Sequence, residues 1–167
     1  MSPRIQAFVW EMNAVHPKVL ELAPDLTTGF PRSPRDMLAG YIIAARAVDK
    51  CRAELAGKVG SYKFDGFMDG LLFNFTGITG PQMREFIATG ADDEAVSQWL
   101  REHARKCPRS EIVRWNNEWR YKRISEMPDR FQQFMERYIP SVIAPKLMPK
   151  VTYLFDVFDL EEKKFGS

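Results

Sequence analysis

The segment from Pro24 to Gly57 constrains the fold more than any other part of the sequence. Its first third holds three prolines: Pro24, Pro31 and Pro34. Proline fixes its own φ and restricts the residue before it, so this part should be an extended loop with few accessible conformations. Arg32 and Arg35 project from the loop, and we expect their side chains to be solvated. The rest of the segment has the pattern of a helix.

Ser33, Pro34 and Asp36 have the spacing of a helix start. A serine oxygen accepts an amide hydrogen bond there, proline has no amide hydrogen to lose, and an acidic residue three positions after the cap completes a capping box. Apolar residues then follow at helical steps: Leu38, Tyr41, Ile42, Ala45 and Val48. Gly57 supplies a stop signal. The pattern predicts one helix, Pro34–Ala56, of about six turns.

Asp49 and Arg52 lie on the continuation of this apolar stripe. Side chains three residues apart on a helix can pair with each other. Because charges that face a core must be paired or hydrogen-bonded, we expect both residues to have low solvent exposure. Two interpretations stay open, an ion pair at the rim of the core and a charge pair that marks a pocket. Only the second predicts a cavity beside them.

Further helices are predicted between the glycines and prolines of the remaining chain. Their starts are expected near Asp69, Thr79, Asp92 or Asp93, Pro108 or Ser110, Pro128 and Thr152. The helix from Ser110 to Met127 is predicted to be the main packing partner of Pro34–Ala56. Lys58–Asp65 allows at most one short extended segment. The fold class is therefore all-α, an irregular bundle of seven or eight helices.

Length and composition indicate a single domain. The chain has 167 residues, is 45% hydrophobic and carries a net charge of +2, which fits one core of ordinary size. We expect residues 1–23 to form an N-terminal arm, with Ile5, Phe8, Val9 and Met12 at helical steps, and residues 24–167 to form the helical domain. The sequence has no apolar run of about 18 residues and only two cysteines, so we expect a cytoplasmic protein without membrane contact.

Patterns of catalytic and metal sites are not found in the sequence. The two histidines, His16 and His103, are far apart, and no CxxC, HxxxH or phosphate-binding glycine motif occurs. Cys51 is expected to be a passive residue within a helix. We therefore assign no catalytic residue, no metal ligand and no cofactor, and whether the protein is an enzyme stays open.

The leading functional hypothesis is a non-catalytic binding or protein-interaction module. The C-terminal residues Tyr153 to Phe158 form a helix that is apolar nearly all round, which must be covered by the body or by a partner chain. A homodimer through the N-terminal arm and this helix would cover it. The second hypothesis is a small-molecule site, for an anionic ligand, in a polar pocket between the two long helices. Its predicted lining is Tyr41, Asp49, Arg52, Tyr62, Asn116 and Arg120.

The third and least favoured hypothesis is nucleic-acid binding. Residues 101–123 contain eight basic residues against three acidic ones, with Trp115, Trp119 and Tyr121 among them, which is the composition of a base-stacking groove. The tryptophans, however, share a stripe with Ile112 that is typical of a buried helix face. Much of the positive charge also lies in the connection around Pro108.

Three stretches carry a resemblance to a known family: PDLTTGFPRSPRDMLAGY, AVDKCRAELAGKVGSYKF and VTYLFDVFDLEEKK. They resemble a family of small bacterial proteins defined only as a domain of unknown function, number five-zero-six-nine. The resemblance runs from Asp25 to Glu162 and leaves the N-terminal arm outside. It implies a compact helical domain, and it implies no activity, cofactor or catalytic residue.

Overall fold

The fold is organised around the helix Ala44–Leu55, in a computed structural model that describes residues 1–6 and 14–163. Every residue of this helix from Ala44 to Ala53 is buried, so it has no solvent-facing side along most of its length. A helix buried all round is usually apolar, yet this one carries Arg46, Asp49, Lys50 and Arg52. Each of these charges must therefore find a partner inside the protein.

Residues 14–163 hold eight α-helices and two 3₁₀ helices. The α-helices are α1 (Pro17–Leu22), α2 (Ala44–Leu55), α3 (Phe67–Thr76), α4 (Gly80–Ile87), α5 (Asp93–His103), α6 (Arg109–Arg120), α7 (Asp129–Val142) and α8 (Leu154–Glu161). The 3₁₀ helices are Ile124–Glu126 and Pro145–Lys150. Leu38 and Tyr41 form an isolated bridge, and the described residues contain no strand. The prediction of a compact all-α domain is confirmed.

The predicted start of the central helix is wrong by ten residues. The reciprocal hydrogen bonds at Ser33 do form, because its amide donates to Asp36 Oδ2 at 2.9 Å and its Oγ accepts from the Arg35 amide at 3.1 Å. The turn does not propagate, however, and α2 begins only at Ala44. In between, Ala39, Gly40 and Ile43 have positive φ angles of 54°, 86° and 70°. We call residues 37–43 the bridge loop.

Capping side chains fix only the first turn, so the path of the next residues is decided by tertiary contacts. Ile42 and Ile43 are fully buried, and burial of such side chains stabilises by about 1.5–3 kcal/mol each. A positive φ at a β-branched residue such as Ile43 costs about 1–3 kcal/mol. Burial therefore offsets the backbone strain, and the loop keeps a conformation that a helix would not allow.

Several other predicted boundaries agree with the structure. Thr79 forms a capping box with Gln82, Asp92 caps α5, and Gly77 ends α3 with φ 75°. Two predictions need correction. The helix expected to reach Met127 ends at Arg120, and the main helical neighbours of α2 are α1, α3 and α4 instead of α6.

The charges of the central segment tie it to the end of the chain. Arg46 and Glu162, 4% and 3% exposed, form an ion pair with an N–O distance of 2.6 Å. Arg35 binds Asp156 at 2.7 Å and Asp159 at 2.6 Å, so it is not solvated as expected. These contacts dock α8 and the following Glu162 against α2 and against residues 24–36, which we call the proline loop. Because the carboxylates of these pairs are buried, a shift of α8 that left one of them without its cation would be costly.

The apolar C-terminal helix is covered by its own chain. Leu154, Phe155 and Val157 are fully buried, and Leu160 is nearly so. This surface is therefore not available for the homodimer contact considered from the sequence. Phe8, Val9 and Met12 of the N-terminal arm lie outside the described residues, and a dimer through that arm stays a prediction.

In the described ranges, no helix has both the length and the hydrophobicity that a membrane span requires.

We predict that Arg46→Met lowers the free energy of unfolding by about 3–5 kcal/mol, because it leaves the Glu162 carboxylate buried without a counter-charge. Lys122→Met is the control, since Lys122 pairs with the exposed Glu118 and the loss should be about 0–1 kcal/mol. Urea denaturation measures both. Equal, small losses in the two variants would show that the buried pair contributes nothing.

Candidate functional site

The six residues predicted to line one pocket are spread over different parts of the surface. Tyr41 and Asn116 line a groove of about 510 Å³, and Tyr62 lines a cavity of about 320 Å³. Asp49 and Arg52 line a depression of about 490 Å³, while Arg120 lines none of the three. The structure therefore brings Tyr41 together with Asn116, and Asp49 together with Arg52. Binding of a ligand by these residues stays a prediction.

Asp49 and Arg52 have the low exposure that was expected, 8% and 4%. They do not form an ion pair with each other. Arg32 Nη2 lies 2.9 Å from Asp49 Oδ1, and Arg52 binds Asp93 at 2.8 Å. Burial alone would raise the pKa of Asp93, but hydrogen bonds from Arg32 and Arg52 lower it below its usual range. The four charges form one network that joins the proline loop, α2 and α5.

The depression beside this network carries more negative than positive charge. Its lining residues are Leu22, Arg32, Asp49, Arg52, Asp92, Asp93 and Glu94. Four carboxylates against two guanidinium groups do not favour an anionic ligand. Within the described ranges, moreover, no group of three or more His, Cys, Asp or Glu residues is placed to hold a metal ion. This depression is therefore not our candidate site.

Tyr62 belongs to what we call the tyrosine cavity. It is lined by Arg46, Lys50, Ser61, Tyr62, Lys63, Gly66, Phe67, Met68, Tyr138, Phe158, Glu161 and Glu162. Tyr138 donates its hydroxyl hydrogen to Glu161, with O–O distances of 2.8 and 2.9 Å. Burial, followed by the charge of Glu162, raises the pKa of Tyr62 to about 12. The polar groups of this cavity are thus mostly engaged with one another.

Arg120 lies at the end of α6 and has local partners. Its Nη1 donates to Asn117 Oδ1 at 2.8 Å, and its Nη2 lies 3.8 Å from Met37 Sδ. It reaches the bridge loop from the side of α6, outside the groove that contains Asn116. The sequence placed Arg120 with Asn116 because both stand on one helix, but positions four apart can still face different neighbours.

The best candidate for a binding site is the groove between the bridge loop and the connection from α5 to α6, which we call the basic groove. It is lined by Met37, Ala39, Gly40, Tyr41, Arg101, Ala104, Arg105, Lys106, Cys107, Arg109, Ile112, Val113 and Asn116. Four of these residues are cations, and no carboxylate is among them. A concave surface lined by one sign of charge concentrates ions of the opposite sign.

The four cations differ in how far they are neutralised. Arg105 Nη2 lies 3.1 Å from Glu111 Oε2, and Lys106 Nζ donates to the carbonyl of Arg101 at 2.8 Å. Among residues 1–6 and 14–163, the guanidinium groups of Arg101 and Arg109 have no hydrogen-bond or ion-pair partner. Two full positive charges therefore stand at the groove without a counter-ion from the described chain.

Tyr41 places a buried polar group at the groove. The residue is 4% exposed, and its ring meets Phe75 and Trp115 edge-on, with centroid distances of 6.4 and 6.5 Å. Burial raises the pKa of Tyr41, the charge of Cys107 adds to the rise, and Arg105 opposes it. Its hydroxyl has no hydrogen-bond partner in the described part of the chain. The O–H is therefore available as a donor to a ligand.

Asn116 holds the loop that forms one wall of the groove. Its Oδ1 accepts from the Ile42 amide at 3.1 Å, and its Nδ2 donates to the Gly40 carbonyl at 2.7 Å. A buried amide group needs hydrogen-bond partners, and Asn116, which is 5% exposed, has them on both sides. Its role is to position the bridge loop, because both sides of its amide group are already used by the backbone.

The groove cations were visible in the sequence but were not assigned to a site. Arg101, Arg105, Lys106 and Arg109 belong to the positively charged stretch that suggested a nucleic-acid groove, and their location around Pro108 was counted against that hypothesis. The missing information was spatial, since the bridge loop lies more than sixty positions earlier in the chain. Cys51 is buried as expected, and burial raises the pKa of its thiol to about 12.

We predict that Asn116→Leu lowers the free energy of unfolding by about 1–3 kcal/mol, because it leaves the Ile42 amide and the Gly40 carbonyl without partners. Amide hydrogen exchange should also become faster in the bridge loop than elsewhere. The control is Asn117→Leu, since Asn117 is exposed and its side chain bonds only to Arg120 among the described residues. If loop exchange is unchanged in Asn116→Leu, the positioning role is refuted.

We further predict a loss of stability at high pH that depends on Tyr62. Its pKa of about 12 in the folded protein exceeds the unfolded value of about 10, so the unfolded state loses its proton first. The contribution is fully present below pH 10 and is lost as the pH rises to about 12. Denaturation curves across this range should show a weaker dependence in Tyr62→Phe. An identical dependence in both proteins would contradict the burial of this hydroxyl.

Comparison with known proteins places the chain in a family. Residues 28–164 match the family model described as Domain of unknown function (DUF5069). No curated protein matches the chain. The match covers most of the sequence, including the bridge loop, the basic groove and the tyrosine cavity, and leaves residues 1–27 outside. The chain therefore belongs to the family with domain of unknown function DUF5069.

Proposed function

We propose that the protein is a non-catalytic binding module whose basic groove binds a small anionic molecule, a carboxylate or phosphate compound. The observation that carries the proposal is the unbalanced positive charge at the groove. Arg101 and Arg109 have no counter-ion among the described residues, and no carboxylate lines the groove. Like charges held near each other repel, and an anion that binds between them removes this repulsion.

The size and depth of the groove support a small ligand. Its volume of about 510 Å³ lies within the range of about 300–1,000 Å³ that is usual for small-molecule sites. The Tyr41 hydroxyl would donate to the bound anion, while the aromatic cluster of Tyr41, Phe75 and Trp115 keeps that hydroxyl in one position. A fixed donor loses little entropy on binding, which favours affinity.

Nucleic acid is a less suitable ligand for this surface. Stacking of bases needs exposed aromatic faces, but Trp115 is buried and stacks on Phe75 at a centroid distance of 4.8 Å. Tyr121 is exposed but meets Tyr153 edge-on, and Lys122 lies over the ring of Trp119.

As part of the proposal, the module acts in a bacterial cytoplasm. The two free cysteines support a reducing compartment.

The test uses tripolyphosphate and citrate as probes. Either probe should raise the melting temperature of the protein, because binding to the folded state alone adds about 2.7 kcal/mol at one hundred times the dissociation constant. The double variant Arg101→Ser with Arg109→Ser should lose most of this shift. Tyr41→Phe should weaken binding about ten-fold or more, since it removes one hydrogen bond to a charged group.

The matched control is Arg130→Ser with Arg137→Ser, which removes the same charge from exposed positions of α7. This control should keep the full shift. The proposal fails if neither probe raises the melting temperature, or if both double variants lose the shift equally. A single-stranded oligonucleotide that binds more tightly than either probe, with strong salt dependence, would favour the nucleic-acid hypothesis instead.

A further inference from the structure

The tyrosine cavity contains a buried amine that has no part in anion binding at the basic groove. Lys50 lies in the middle of α2, its side chain is 7% exposed, and it lines the cavity. Four aromatic residues form much of the remaining wall: Tyr62, Phe67, Tyr138 and Phe158. A lysine inside an aromatic cavity is an uncommon arrangement, because burial of an ammonium group is costly.

The amine is held by one carboxylate. Lys50 Nζ lies 2.9 Å from Asp69 Oδ1, and Asp69 is fully buried. The other oxygen, Oδ2, accepts the amide of Asp65 at 2.9 Å. An ammonium group has three donors, and Asp69 is the single partner of Lys50 in the described part of the chain. The remaining N–H donors of Lys50 are therefore free to bind a ligand in the cavity.

The other buried charges of the cavity are already neutralised. Arg46 binds both oxygens of Glu162, at 2.6 and 2.8 Å, and lies over the rings of Tyr62 and Phe158. Glu161 accepts the hydroxyl of Tyr138. Lys63 also lines the cavity but is exposed to solvent. Lys50 is thus the buried nitrogen that a ligand in this cavity would meet.

We propose that Lys50 is the amine of a covalent binding site for small carbonyl compounds, aldehydes or ketones with an apolar or aromatic body. The volume of about 320 Å³ fits a molecule of this size, and the aromatic walls would bury its apolar part. Because the two buried cations of the cavity, Arg46 and Lys50, each have an acidic partner, its buried part does not select for a charged ligand. The free N–H donors of Lys50 would bind the carbonyl oxygen of the ligand before the covalent bond forms.

The chemistry is an amine–carbonyl condensation. Asp69 Oδ1 takes a proton from the ammonium, and the lone pair of Nζ attacks the carbonyl carbon, whose π electrons move to oxygen. The oxygen takes up the proton that Asp69 returns. Loss of a second proton from nitrogen and of the hydroxyl as water leaves a C=N bond to Nζ. One water is released for each carbonyl bound, and no oxidant or reductant is needed.

The electrostatics of the pair support this chemistry. Burial lowers the pKa of Lys50, while Asp69 and Glu162 raise it and Arg46 lowers it further. Burial likewise raises the pKa of Asp69 against the opposing charge of Lys50. Both changes favour the neutral pair of amine and carboxylic acid, which is the form that can attack. Asp69, Arg46 and Glu162 are the charged groups that face Lys50 from α3, α2 and the end of α8.

The test traps the imine by reduction. The protein is incubated at pH 7 with benzaldehyde and cyanoborohydride, and the modified lysines are identified by peptide mass spectrometry. Lys50 should be benzylated faster than the exposed Lys146, because a lowered pKa leaves a larger fraction of its amine neutral and able to attack. A guanidinium group cannot form this imine but can still pair with Asp69, so Lys50→Arg should lose the fast modification and stay folded.

A second variant tests whether Asp69 controls the reactivity of Lys50, as opposed to the amine simply being accessible to the reagent. Asp69→Asn removes the proton acceptor, so the pH at which modification of Lys50 becomes fast should shift, whereas the pH profile of Lys146 should not change. Circular dichroism checks that both variants are folded. The proposal is overturned if Lys50 is modified no faster than Lys146, or if the Lys50→Arg protein reacts at the wild-type rate. Neither result depends on the basic groove.

Discussion

The structure depends on ion pairs that satisfy a helix buried on all sides. Each buried charged residue of α2 binds a different part of the chain: Arg46 binds Glu162 after α8, Asp49 binds Arg32 of the proline loop, Lys50 binds Asp69 of α3, and Arg52 binds Asp93 of α5. Such pairs add little net stability compared with apolar residues of the same size, but leaving one member alone is costly. They therefore select one arrangement of helices around α2 and penalise all others.

The same arrangement creates the two sites. Asn116 holds Gly40 and Ile42 of the bridge loop, which leads directly into α2, and the basic groove lies between that loop and the start of α6. On the other side, the pairs of Arg46 and Lys50 with Glu162 and Asp69 bring four aromatic rings around one amine. Both sites thus combine residues from distant parts of the sequence, and neither exists in any single segment.

The sequence predicted the fold class and many helix ends because these depend on local chemistry. Thr79, Asp92 and Gly77 act within one or two turns of their own position, so their roles can be predicted without knowing the fold. The low exposure of Asp49 and Arg52 followed from their place on an apolar stripe. Their true partners did not, because Arg32 and Asp93 are separated from them by loops whose path no local pattern determines.

The start of α2 and the expected grouping of Tyr41 with Asp49 differ from the structure for one reason. The capping hydrogen bonds at Ser33 form as expected. The path of the next residues is set instead by the hydrogen bond to Asn116 and by the burial of two isoleucines. Local propensity is a weak prior when a tertiary contact offers more free energy. Because the predicted helix was ten residues too long, Tyr41 was placed on the face of Asp49, whereas it belongs to the loop beside Asn116.

The docking of the last helix also sets an order of events in synthesis. Arg46 leaves the ribosome 116 residues before Glu162, and Arg35 precedes Asp156 and Asp159 by 121 and 124 residues. Until those acidic residues emerge, the central helix cannot be enclosed without stranding its cations in an apolar environment. Burial of Arg35 and Arg46 therefore becomes favourable only once residues 156–162 are available to pair with them.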